Sequence, residues 1–203
     1  MDKKLLIILL LLGIFFTYFN PVFAGKVLIS PAADLQAEGQ GQLGFYFYRS
    51  RPSLEFNFGL PRLSLGVKNN FSETNRLAGL FKVAVLEETA DQPGLAFGAE
   101  IGFGERHLYG VVSKQLGLPG LRGHLALGTG KYARGMAAVS FVLNPVNIKT
   151  ENGLTLPVTS AVLEYDGRGL NGGLAAQFSP GLKAFLILSD FEQLNFGLNY
   201  KFF

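Results

Sequence analysis

The chain of 203 residues is 48% hydrophobic and only 16% charged, with 26 Gly, 19 Phe and 7 Tyr and neither Cys nor Trp. This composition belongs to one folded domain rather than a disordered chain, and a net charge of +3 without basic runs excludes a nucleic-acid partner. Without Cys there are no disulfides, thiolate nucleophiles, Cys-based metal sites or acylated lipoprotein N-terminus.

Lys3 and Lys4 precede an apolar run from Leu5 to Phe16, which is followed by Asn20, Pro21, Val22, Phe23 and Ala24. A charged start, a short apolar stretch and a small-residue ending predict a secretory signal over 1–24, cut before Gly25. An uncleaved anchor is the lesser reading, because a membrane helix needs about 20 apolar residues. Residues 25–40 are a lead-in. Ser30 as cap and Pro31 at the first position would start a short helix to about Ala37 that plugs a lumen; an extended periplasmic lead-in is the equal alternative.

Over 41–203 the dominant period is two, which is the period of strands. Leu43, Phe45 and Phe47 alternate with Gln42, Gly44, Tyr46 and Tyr48; Leu54, Phe56 and Phe58 then alternate with Ser53, Glu55 and Asn57. The pattern continues at Leu63–Lys68, Phe81–Val85 and Gly94–Gly104. Further strands are expected at about 107–115, 121–130, 134–143, 156–165, 169–178, 182–189 and 194–203. Turn chemistry separates them, as at Gly59-Leu60-Pro61, Gln92-Pro93-Gly94, Leu118-Pro119-Gly120, Asp166-Gly167 and Ser179-Pro180-Gly181. Asn69–Arg76, Glu87–Pro93 and Asn144–Leu154 are longer connections. The expectation is an all-β fold: a single antiparallel transmembrane β-barrel of about twelve strands, with ten or eight as alternatives.

One face of these strands is Leu, Phe, Val and Ile; the other is Gly, Ala, Ser and Asn with charges at mid-strand. Apolar-out, polar-in strands of roughly ten residues are those of an outer-membrane barrel in contact with lipid. The lumen-facing polar candidates are Glu55, Lys68, Lys82, Glu100, Lys114, His124 and Glu164, expected to form salt-bridged ladders across a narrow interior. In the last strand Leu194, Phe196, Leu198, Tyr200 and Phe202 alternate with polar residues and Gly197. Tyr200, Phe202 and Phe203 are therefore the candidate signal for the barrel-insertion machinery, with Phe203 one residue beyond the apolar register.

Catalytic chemistry on a barrel needs a base, and His107 and His124 are the only histidines. No local motif pairs Ser113 or Ser140 with either, and nothing in the spacing selects Glu100 and Glu164 as paired carboxylates. Gly128-Thr129-Gly130-Lys131 lacks the Gly spacing and the hydroxyl residue of a phosphate loop and reads as a hairpin tip. No metal set, cofactor site or enzymatic constellation is expected; a hydrolase or acyltransferase acting on lipid or glycan is the alternative.

Two segments resemble the YjbH-like outer-membrane proteins: the lead-in Gly25–Gly39, and Leu163-Glu164-Tyr165-Asp166-Gly167 followed by Asn171-Gly172-Gly173-Leu174. The resemblance implies a bacterial outer-membrane protein associated with exopolysaccharide production or secretion, with polysaccharide or its export proteins as partners. It implies no reaction and supplies no catalytic residues. Many members of that family are several times longer. A structural or narrow-pore barrel without a polysaccharide role is the alternative.

Overall fold

The computed structural model describes residues 26–71, 76–102, 104–149 and 155–202. The expected signal segment 1–24 and Phe203 lie outside the described residues.

Twelve antiparallel strands close on themselves into a barrel. They are β1 (Gly41–Tyr48), β2 (Arg51–Leu60), β3 (Leu63–Asn70), β4 (Arg76–Leu86), β5 (Gly94–Gly102), β6 (Glu105–Gln115), β7 (Leu121–Gly128), β8 (Met136–Asn144), β11 (Val158–Tyr165), β12 (Leu170–Gln177), β13 (Leu182–Ser189) and β14 (Gln193–Phe202). The connection after β8, expected as a longer connection over Asn144–Leu154, carries its own two-stranded hairpin, β9 (Ile148–Lys149) with β10 (Thr155–Leu156). Each strand pairs with its neighbours, and β1 meets β14 with Gly41 opposite Phe202 and Phe47 opposite Phe196. Closure leaves the barrel's own strands, among the described residues, without a free edge.

Alternation decides the two faces. Along β1 and β14, Leu43, Phe45, Phe196, Leu198 and Tyr200 point outward while Gln42, Asn195 and Asn199 are buried inside. Aromatic contacts run down this seam: Phe47 stacks on Phe196 at 5.6 Å between ring centres, and Phe202 lies 6.1 Å from Phe56. The whole outer wall repeats this choice, reaching 63% exposure at Leu125 and 69% at Leu127.

The β1–β2 turn illustrates how tight the connections are. Arg49 and Ser50 both take positive φ, 49° and 60°. A two-residue hairpin turn of that hand matches strand twist, although residues with a Cβ resist it. Its compensation is local: the Arg49 N–H donates to Asn195 Oδ1 at 2.6 Å, and its guanidinium meets Asp190 at 2.9 Å.

Candidate functional site

The barrel interior is occupied by the lead-in. Gly39 N–H donates to the Gly59 carbonyl and Gly59 N–H to the Gln40 carbonyl, so the segment enters beside the end of β2, at the end where β1 begins and β14 finishes. From there it runs up the lumen to a tight bend at 27–30, where Val27 N–H donates to the Ser30 carbonyl at 2.9 Å. Val27, Leu28, Ser30, Ala32, Ala33 and Gln36 are all buried. No helix forms over Ser30–Ala37, contrary to the helical version of the expectation. A helix that short is marginal by itself, and here the barrel wall satisfies the segment's backbone groups instead.

Five wall residues hold the segment, three of them through its backbone. Glu164 on β11 accepts the N–H groups of Ile29 at 3.1 Å and Ser30 at 2.9 Å. Lys82 on β4 donates to the carbonyls of Ala32 at 3.1 Å and Asp34 at 2.5 Å. Ser113 Oγ on β6 accepts the Ala33 N–H at 2.9 Å. Arg122 on β7 grips the Asp34 carboxylate with two nitrogens and also binds Glu88. Glu55 on β2 pairs with Lys26. Two apolar patches of the wall complete the seat: Val162, Phe185 and Ile187 pack with Val27 and Leu28, while Ala96, Val111 and Met136 pack with Ala33.

The residues expected to cross-link the lumen therefore divide. Glu55, Lys82 and Glu164 face inward and hold the plug. Lys68 and Glu100 face inward and form a wall network, Lys68 at 3.8 Å from Glu100, which also pairs with Lys131. Lys114 is a correction: it alternates with buried Ser113, so it stands on the outer side at the end of β6. There its ammonium bonds the carbonyls of Thr89 at 2.7 Å and Ala90 at 2.6 Å. A lysine near a strand end can lie along apolar surface and send its charge to the rim, so charge alone misjudges its face. Tyr200 faces outward; Phe202 ends β14 beside Phe56.

His124 is buried and its Nδ1 lies 2.8 Å from Ser113 Oγ, a pairing that no local motif announced. Strand register makes it, since Ser113 and His124 are direct cross-strand partners. Ser113 Oγ accepts the Ala33 N–H while it is hydrogen-bonded to His124 Nδ1, so the pair orients an acceptor for the plug. Ser113 is fully buried and lines neither cavity described below. His107 sits apart at the start of β6, 3.3 Å from Glu105. Glu100 on β5 is engaged with Lys68 and Lys131, and Glu164 on β11 with the N–H groups of Ile29 and Ser30. Gly128 ends β7, and Thr129–Lys131 lie in the β7–β8 connection, where Gly130–Tyr132 makes a single 3₁₀ turn.

Beside the plug remain cavities of about 50 Å³, lined by Lys26, Tyr46, Glu55, Lys82, Glu100 and Tyr109 among others, and of about 20 Å³. Spaces of that size hold a few waters. They do not pass a solute.

At the opposite end the β11–β12 turn is tied to the end of β1 and the β1–β2 turn. Asp166 Oδ2 accepts the Tyr48 hydroxyl at 2.6 Å and its Oδ1 accepts the N–H groups of Arg168 and Gly169, each at 2.9 Å. Burial alone would raise this carboxyl. The Tyr48, Gly169 and Arg168 hydrogen bonds and the Arg49 guanidinium outweigh it and hold Asp166 below the usual carboxylate range.

No family model and no curated protein matches the chain.

Proposed function

We propose that the chain is a bacterial outer-membrane β-barrel, closed by its own leading segment, that serves exopolysaccharide production or secretion as a non-conducting body. The observation that carries the membrane reading is the outer wall. Leucine, phenylalanine, valine and isoleucine cover it on every strand, whereas ionic side chains turn inward or sit at the rims. In water such a wall far exceeds the few hundred Å² of contiguous apolar surface that a soluble monomer carries. Strands of 8 to 11 residues suit the hydrocarbon thickness once tilted.

The polysaccharide part rests on the resemblance of Gly25–Gly39 and Leu163–Leu174 to the YjbH-like proteins. These two segments touch, through Ser30 with Glu164 and Leu28 with Gly173, which gives their joint occurrence a structural reason. Conduction is disfavoured by the seated plug, so the barrel works by binding or organising at its rims.

Fractionation and gel mobility test the membrane reading: the protein should sediment with outer membranes and migrate faster unheated than boiled. Recovery in the soluble fraction would sink it. Deleting the gene and measuring secreted polysaccharide tests the second part, and unchanged yield would leave only the structural-barrel reading. In planar bilayers the full protein should be silent, and a variant lacking residues 26–38 should show stepwise current.

A further inference from the structure

The start of the plug brings an amine, a carboxylate and a carboxamide to one point of the lumen wall. Glu55 and Asn57 stand two residues apart on β2 and so share its inner face, and the Asn57 amide donates to Glu55 Oε1 at 2.8 Å. The Lys26 ammonium holds the other oxygen, Oε2. Lys26 is set there by its bridge to Pro31 across the plug's bend, and its Nζ lies 5.0 Å from the centre of the Tyr46 ring. Gly66, opposite Asn57 on β3, leaves the amide its place, since a Cβ there would stand 2.3 Å from Asn57 Oδ1. Glu55 is 4% exposed, and all three groups line the cavity of about 50 Å³.

An amine confined beside a carboxamide, with a carboxyl group bonded to both, has what acyl transfer needs: a nucleophile, a proton carrier and an electrophile at high effective concentration. We propose that Lys26 and Asn57 condense in the folded protein into an isopeptide bond that fastens the plug to β2. The resting Lys26–Glu55 pair is ionic, so the reaction starts when the ammonium passes a proton to Glu55. The freed lone pair attacks Asn57 Cγ, and a C–N bond forms as the carbonyl π pair moves to Oδ1. Glu55 hands its proton to the Asn57 nitrogen, the old C–N bond breaks as the Oδ1 pair returns, and ammonia departs. The second proton lost by the attacking nitrogen passes through Glu55 to that ammonia, which leaves as ammonium. No oxidant or co-reactant is consumed. The step rests on the seated plug, and on neither the membrane nor the polysaccharide reading.

Denaturing mass spectrometry of the folded protein purified in detergent tests it. With its N-terminus sequenced, the protein should weigh one ammonia less than its sequence. Tryptic digestion should yield one branched peptide joining Lys26 to Asn57, with no cleavage after Lys26. Lys26→Arg and Asn57→Ala should each retain the full mass. Glu55→Gln keeps the amine and the amide yet should stay unlinked, which separates proton transfer from proximity. Unheated gel mobility checks that each variant is folded, and Asn57→Ala leaves the Lys26–Glu55 pair intact should Glu55→Gln not fold. Full mass in the folded parent, a link from Lys26 to any other residue, or a linked Glu55→Gln variant overturns the proposal. Fractionation reports on the membrane reading whatever the mass, so the two fail separately.

Discussion

Glu164 and Ser30 stand 134 positions apart, yet the Ser30 N–H donates to the Glu164 carboxylate at 2.9 Å, with the Ile29 N–H on the same oxygen. The Glu164 side chain is buried, with the residue 1% exposed. A buried carboxyl group is costly unless donors meet it, and here Oε2 takes both of its donors from the bend of the plug. This contact lies near the end of β11 remote from the start of β1, so it fixes how deep the plug reaches.

Replacing Glu164 by Ala should leave two buried N–H groups without acceptors, at a cost of about 1–3 kcal/mol each. The expected result is a lower melting temperature and a protease-sensitive segment over 26–40 in a barrel that still closes. A plug as resistant as the parent's would refute the anchoring role.

Gly59 marks the other end of the plug. A Cβ built there would lie directly against the Ala37 carbonyl oxygen and 2.5 Å from that of Gln36. Gly59→Val should therefore displace the entering segment, at about 1–3 kcal/mol for overpacking, and raise its proteolysis rate. Gly39 differs, because a Cβ added there would meet nothing within 4 Å. Substitution there is opposed only by its positive φ of 75° and should leave the plug's protection largely intact.

Because the chain has no Cys, a cross-link can report the plug's position cleanly. Ala33 N lies 2.9 Å from Ser113 Oγ, close enough for a disulfide to be geometrically attainable. Ala33→Cys with Ser113→Cys should oxidise to a species with altered mobility on non-reducing gels. If the folded double variant kept two free thiols, the plug would not sit where described.

The β11–β12 turn carries a pH dependence. Asp166 has a folded pKa below its unfolded value of about 3.9, so the unfolded chain takes up its proton first on acidification. Its stabilising contribution is thus fully present above about pH 4 and is lost as pH falls through the lower folded value. The melting temperature should decline below about pH 4. Asp166→Asn should melt lower near neutrality and show a shallower decline in acid.

The lumen charges show how far sequence reasoning reached. Period two assigned Glu55, Lys68, Lys82, Glu100, His124 and Glu164 to the inner face because alternation is local. Lys114 escaped it, since a long side chain at a strand end can serve the rim from either face. What each inner charge binds was not legible: opposite charges suggested ladders, whereas Glu55, Lys82 and Glu164 chiefly meet the lead-in. That segment has no periodic pattern, and its partners lie as far away as 135 positions. The Ser113–His124 pair was equally hidden, although counting the register back through the β6–β7 turn would have found it.

By itself the sequence determined the strands, their faces and an even-numbered barrel, because these follow from a two-residue period and turn residues at short range. The Gly-rich inner face also signalled a crowded interior. Only the tertiary structure decided what crowds it. A lead-in that is neither helix nor strand takes its shape from hydrogen bonds offered by β2, β4, β6, β7 and β11 together, and that set exists only after the barrel has closed.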